Sequence, residues 1–236
     1  DGRLHLDVLD VGGAPAVAIQ TDDGRHVLVD TGPDPQRLLQ ALGADLPPLT
    51  RSLDLVVLTG GDRACAGALP GLADRYSIAR VVAPAGLPGT TTTAALESLQ
   101  RNGTEVDLVP PDTGWSWGGV RWRLLGPPSD GPDTDVLTVT DPTGTAVLAG
   151  MLPVTAQEEL AALHPDDLRA NLLVTPPGGA VAPALADAVR PQLVAIPDAR
   201  GARGTGAQLL TGRNVRRTGD AGSLSYVGGD AGLAAT

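Results

Sequence analysis

Residues 53–72 read Leu53-Asp54-Leu55-Val56-Val57-Leu58-Thr59-Gly60-Gly61-Asp62-Arg63-Ala64-Cys65-Ala66-Gly67-Ala68-Leu69-Pro70-Gly71-Leu72. The run 53–58 is apolar and rich in Val and Leu, which predicts a short buried strand. Thr59, Gly60 and Gly61 break that pattern, and the small residues after Cys65 predict a helix packed close to a sheet. A strand–loop–helix step leaves its loop at the carboxyl end of the strand, where α/β proteins build their sites. This loop and the helix start carry Asp62 and Cys65 at i and i+3, able to face each other.

Working outward, residues 4–9 alternate around His5 and Asp7 and predict a first strand, followed by a turn at Asp10-Val11-Gly12-Gly13. Residues 16–20 and 26–29 predict a hairpin through Asp23-Gly24. Asp30-Thr31-Gly32 closes it, and residues 35–42 predict a helix stopped by Gly43. Beyond the opening stretch come a strand at 80–83, a helix at 90–101 stopped by Asn102-Gly103, and a strand at 105–109. Trp115 and Trp117 alternate onto one strand face. They read as a stacking platform for bases or as a hairpin covering the core, and the lack of an Arg between them and Val120 favours the second.

From Val120 the strand-and-helix pattern restarts. Strands are predicted at 120–125, 136–140, 145–149, 172–175, 193–196, 215–218 and 224–227. Helices are predicted at 155–163, opened by a Thr155-x-x-Glu158 capping box, and at 181–189. Two halves of one kind predict an α/β sandwich of two mixed sheets with outer helices, as one domain over 1–228. The small-residue tail 229–236 is expected to be disordered.

The opening stretch resembles the signature of the metallo-β-lactamase superfamily, a strand followed by T-H-x-H-x-D-H and then G-G-L. The order strand, Asp10-Val11-Gly12, strand, turn, Leu28-Val29-Asp30-Thr31-Gly32, helix, then 53–59, is similar to the start of the C-terminal metallo-β-lactamase-like domain of ComEC-type DNA-uptake (competence) proteins. The resemblance implies a four-layer αββα fold. It also implies, for intact relatives, one or two zinc or manganese ions that activate a water to attack a phosphate ester or acyl carbon.

Aligned on Leu58, Thr59, Gly67 and Leu69, the ligand positions of the signature hold Gly60, Asp62, Ala64 and Cys65. The family's L-L-T-G-D, whose Asp bridges the metals, corresponds to a segment ending in Met151. Its H-H-G-S corresponds to Pro176-Pro177-Gly178-Gly179, and its N-x-x-x-H-P to residues 198–206, which carry no His. Asp30-Thr31-Gly32 matches in full and in the family lies near the metals; on residues alone it is a tight turn before a helix. The closing V-x-R-T-D-x-x-G-x-I pattern survives at 215–224. The expectation is therefore a vestigial cleft formed by Asp30, Gly60, Asp62, Ala64, Cys65, Met151 and Pro176, with no metal and no other cofactor. Asp62 should turn to solvent or bond the amides of its own loop, and Met151 should pack near Cys65 and Pro176.

Composition constrains partners. The 236 residues carry 17 basic and 27 acidic side chains, a net charge of −10, and every basic residue is Arg. Lys and Phe are absent while Ala, Gly and Pro abound, as expected for a GC-rich bacterial genome. An acidic chain is a poor general binder of the phosphate backbone. Arg200, Arg203, Arg216 and Arg217 form the C-terminal cluster that could contact an anion or DNA locally. One cysteine excludes an internal disulfide, and no apolar run reaches the roughly 20 residues of a membrane span.

The chain starts at Asp1 without Met, and reads as a processed chain or a piece of a longer one. The resemblance implies a soluble domain of a bacterial membrane protein on its extracytoplasmic face, partnered by the channel part of the same parent chain; a free-standing chain would be cytoplasmic. The functional expectation is an inactive domain with a structural or protein-binding role. The alternative is a hydrolase, nuclease or phosphoesterase, rearranged around Asp62 and Cys65. A helix N-terminus lowers a cysteine pKa, but a thiol nucleophile also wants a base, and no His lies near it in sequence. His5 and His26 fall on predicted strands and His164 at a helix end.

Overall fold

Period-two alternation sorts the apolar residues of each strand onto two faces, and the chain resolves this by stacking two sheets and covering both outer faces with helices. The structure is a computed structural model describing residues 3–87, 89–126, 134–202, 210, 212–230 and 232–236. The first part contains β1 (His5–Val8), β2 (Val17–Gln20), β3 (His26–Val29), α1 (Pro35–Asp45) and β4 (Ser52–Val57). It continues with α2 (Arg63–Ala66), α3 (Leu69–Ala73), β5 (Ser77–Pro84), α4 (Thr90–Arg101) and β6 (Glu105–Val109). The second part contains β7 (Gly114–Trp117), β8 (Val120–Leu125), β9 (Val136–Asp141), β10 (Gly144–Leu148), α5 (Val154–Leu163) and β11 (Leu172–Val174). After these come α6 (Pro183–Val189), β12 (Leu193–Ile196), β13 (Asn214–Arg217), α7 (Thr218–Ala221), β14 (Leu224–Gly229) and β15 (Gly232–Ala235).

The first sheet has the order β15-β14-β1-β2-β3-β4-β5-β6 and the second β13-β12-β11-β10-β9-β8-β7. Each is mixed in the same way. Antiparallel hairpins lead into strands paired in parallel, β3 to β6 in one sheet and β10 to β13 in the other. The two halves meet between β6 and β7, a few residues before the expected position near 120, and β14 and β15 return to the first sheet.

Inner faces supply the central core: Leu6, Val8, Ile19 and Val57 from one sheet meet Trp122, Leu124, Val139 and Leu148 from the other. On the outer face of the first sheet, Leu38 and Leu42 of α1, Leu72 of α3 and Leu96 and Leu99 of α4 close a second cluster. Leu160 of α5 and Leu185 and Val189 of α6 close a third over the second sheet. The result is the four-layer α/β sandwich.

Several local expectations are corrected. The tail 229–236 is not disordered in its described part: β15 pairs antiparallel with β14, and Leu233 is buried in the central core. The first helix runs through Gly43 to Asp45, because Gly43 is exposed and costs only about 1 kcal/mol there. It stops where Pro47 and Pro48 follow. The Thr155-x-x-Glu158 capping box does not form; α5 begins one residue earlier, behind Pro153, with no side-chain cap. The single helix expected after Cys65 is two short ones, α2 and α3. Trp115 and Trp117 pack against the central core, Trp115 stacked 6.3 Å from Trp122 and Trp117 covered by Arg25.

Candidate functional site

The carboxyl ends of β3 and β4 meet at a buried carboxylate. Asp30 follows β3 with φ 56°, in the left-handed region that Asp tolerates better than most residues, and is 1% exposed. The Thr59 amide donates to Asp30 Oδ1 (2.8 Å) and the Thr59 hydroxyl to Oδ2 (2.7 Å). Burial pushes the Asp30 carboxyl up to about 7; the two bonds from Thr59 act in the opposite sense, and the charge of Asp62 adds to the rise.

Thr59 also ties the two sheets together. Its carbonyl accepts the Asp135 amide just before β9 (2.7 Å), and Gly60 forms a bridge with Thr134. On the far side, Gly150 follows β10 with φ 54°; a Cβ there would come within 2.7 Å of the Thr59 hydroxyl, so only glycine fits. Beneath it, the Thr31 amide and hydroxyl both donate to the Cys65 carbonyl (2.6 and 3.1 Å), and the Ala68 amide donates to the Thr31 hydroxyl. Sequence reasoning missed the roles of Thr59, Asp135 and Gly150. The only local signal was a polar residue directly after an apolar strand; the rest is long-range contact, from Thr59 to Asp30 across 29 residues and from Thr59 to Asp135 and Gly150 across far more.

The positions aligned with family ligands are distributed around this knot. Asp62 is exposed, and its Oδ1 accepts the Cys65 amide (2.8 Å), capping α2. Cys65 is fully buried, with its Sγ 3.7 Å from the Thr59 hydroxyl. Burial, then the charges of Asp30 and Asp62, push the thiol up, so the lowering expected at a helix start is overturned. Gly60 is buried, Ala64 and Met151 are half-buried, and Pro176 is buried beside Thr175. Among the described residues no three His, Cys, Asp or Glu side chains are arranged to hold a metal ion.

The arginine cluster is only partly brought together. Arg217 pairs with buried Asp198, Arg216 donates to the Thr236 carbonyl (3.1 Å), and Arg200 is exposed. Arg203 lies outside the described residues. His5 and His26 lie on the outer face of the first sheet, lining a cavity with Asp7 and Asp45. His164 sits at the end of α5 between Asp112 (3.2 Å) and Asp167 (3.7 Å).

Comparison with known proteins follows this geometry. The family profile Lactamase_B, "Metallo-beta-lactamase superfamily", matches residues 9–183. Comparison with curated protein sequences finds no relative. Among solved structures, the metallo-beta-lactamase fold protein YhfI from Bacillus subtilis superposes with a TM-score of 0.65 at 15% identity, covering 92% of this chain and 97% of that one. A diphosphatase from the PhnP family gives 0.56 at 15% identity, covering 96% and 98%. Zinc-bound PqqB from Methylobacterium extorquens gives 0.54 at 14%, covering 72% and 71%. Identities this low establish a shared fold.

Proposed function

The chain belongs to the metallo-β-lactamase superfamily, and from that membership we propose a metal-free, catalytically inactive domain with a structural or protein-binding role in a ComEC-type DNA-uptake protein. The observation that carries this reading is the donor set. A catalytic zinc needs about three protein donors and a structural one four. Gly60, Ala64 and Pro176 offer no side-chain donor, and Met151 offers only a soft thioether. Asp62 is engaged by a backbone amide, and the Cys65 thiol is buried beside two carboxylates. These residues do not fit zinc or manganese.

The ComEC assignment is supported by the motif order up to Thr59 and the intact Asp30-Thr31-Gly32 turn. No helix of the described residues is long and apolar enough to cross a membrane; the reading assigns membrane passage to the channel part of the parent chain and this domain to its extracytoplasmic face. Acidic net charge and the Arg217–Asp198 pair favour at most weak, salt-sensitive DNA binding. The competing hydrolase built on Asp62 and Cys65 lacks an activated nucleophile.

The test is a nuclease and phosphodiesterase assay with added zinc or manganese. No turnover beyond that of Asp62→Ala and Cys65→Ala variants is expected. Turnover abolished by either substitution would overturn the proposal in favour of the rearranged hydrolase.

A further inference from the structure

Helix α5 ends at Leu163, and His164 caps it, its amide donating to the Leu160 carbonyl (2.9 Å). The imidazole is only 13% exposed, and both of its ring nitrogens face carboxylates. Nε2 lies 3.2 Å from Asp112 Oδ1, in the connection between β6 and β7. Nδ1 lies 3.7 Å from Asp167 Oδ2, in the turn after α5. The other oxygen of Asp167 pairs with Arg123 of β8. Alternation along β8 sends Trp122 and Leu124 into the central core and Arg123 to the opposite face, the one that α5 covers. Asp112, His164, Asp167 and Arg123 thus form one row of charged or ionisable groups. Among the described residues they are the groups that pair with His164 or with its partners.

The chemistry of the ring decides what this row needs. A neutral imidazole carries one N–H and one bare lone pair, so one of the two carboxylates would face a lone pair. The imidazolium donates from both nitrogens, and a charged donor holds a carboxylate about twice as strongly as a neutral one. Asp167 keeps Arg123 in either state of the ring. Asp112 has His164 as its ion-pair partner and is half-exposed, so water competes for it once the charge is lost. Its φ of 60° lies in the left-handed region, which Asp visits but does not prefer, so the placement depends on what surrounds it.

The stretch that hangs on this contact is short. The Ala85 amide holds the Val109 carbonyl before the connection (2.7 Å), and the Leu124 amide holds the Thr113 carbonyl after it (2.9 Å), which leaves residues 110–112 between. Pro111 packs on Gly126, where a Cβ would come within 2.7 Å of the Pro111 ring and 3.1 Å of Asp135 Oδ1. Asp135 in turn donates its amide to the Thr59 carbonyl (2.7 Å). The connection therefore sits against the strand ends that border the candidate site.

We propose that His164 is a proton-dependent brace. As imidazolium it ties the 110–112 connection between the two halves to the end of α5; on losing its proton it frees Asp112 and loosens the packing of Pro111 on Gly126. Histidine is the side chain that changes charge between about pH 5 and pH 8, so the brace is closed in mildly acidic surroundings and open in mildly alkaline ones. It does not rest on the functional reading above.

The experiment is backbone amide NMR relaxation on the full chain at about pH 5.5 and about pH 8.5. The heteronuclear NOE at Asp112 and Thr113 should drop at the higher pH, and the Gly126 amide should shift with it. The NOE should be the same at both pH values in His164→Gln, which cannot become charged, and in Asp112→Asn, which leaves no carboxylate for the imidazolium to hold. A His5→Gln, His26→Gln double variant should behave as the parent does. An NOE at Asp112 that does not change with pH in the parent, a drop that survives in His164→Gln or in Asp112→Asn, or a drop lost with the other two histidines would each overturn the brace. If His164→Gln disturbs the end of α5, Asp112→Asn, at a half-exposed position, decides alone.

Discussion

Asp30 and Thr59 form a buried acceptor–donor pair whose cost depends on pH. The folded-state pKa of Asp30 is raised to about 7, above the unfolded value of about 4. Its contribution to stability is therefore fully present below about pH 4 and lost as pH rises through about 7. Urea midpoints should fall between about pH 5 and pH 8, and Asp30→Asn should flatten that slope; a midpoint that rises over this range would contradict the sign. Thr59→Val leaves a buried carboxylate oxygen without its donor and should cost about 2 kcal/mol. Thr59→Ser keeps the hydroxyl and should cost under about 1 kcal/mol. Equal losses in the two variants would mean that the hydroxyl bond is not what matters. At this scale the sequence shows Asp30 through its turn motif and Asp62 as a loop acid. It shows Thr59 only as a strand end, because both bonds to Asp30 span 29 residues.

Strands were the most legible elements, since alternation and Val/Leu runs are local signals; His26–Val29, Glu105–Val109 and Val120–Leu125 have the bounds that the pattern predicts. Helix ends were less so. Gly43 reads as a stop, but an exposed glycine inside a helix is only a modest cost, and Pro47-Pro48 does the stopping. Thr155-x-x-Glu158 fits a capping box, but Pro153 sets the backbone turn first and places Thr155 inside the helix. The C-terminal strand was hidden because Gly, Ala and Thr carry almost no period-two signal; its position depends on pairing with β14 and on one buried side chain, Leu233. Leu233→Ala should therefore cost about 2–3 kcal/mol by urea unfolding. No change in the midpoint would restore the disordered tail.

For the whole molecule, the repeat of hairpins followed by parallel strands gave away two sheets and four layers. What the repeat hides is how the sheets meet at their carboxyl ends, where Thr59, Asp135 and Gly150 approach from strands far apart in sequence. Intact sites hold several carboxylates and imidazoles together, with the metal offsetting their repulsion. Here the aligned positions are mainly small or apolar, which removes most of that repulsion; of the acids that remain, Asp30 is buried and bonded by Thr59, and Asp62 is exposed and caps α2. The most direct measurement is elemental analysis of protein purified without chelator from medium supplemented with zinc and manganese, paired with thermal unfolding in excess chelator. The account predicts only trace metal and an unchanged unfolding midpoint. One transition-metal ion per chain, lost in Asp62→Ala or Cys65→Ala, together with a midpoint lowered by chelator, would contradict it.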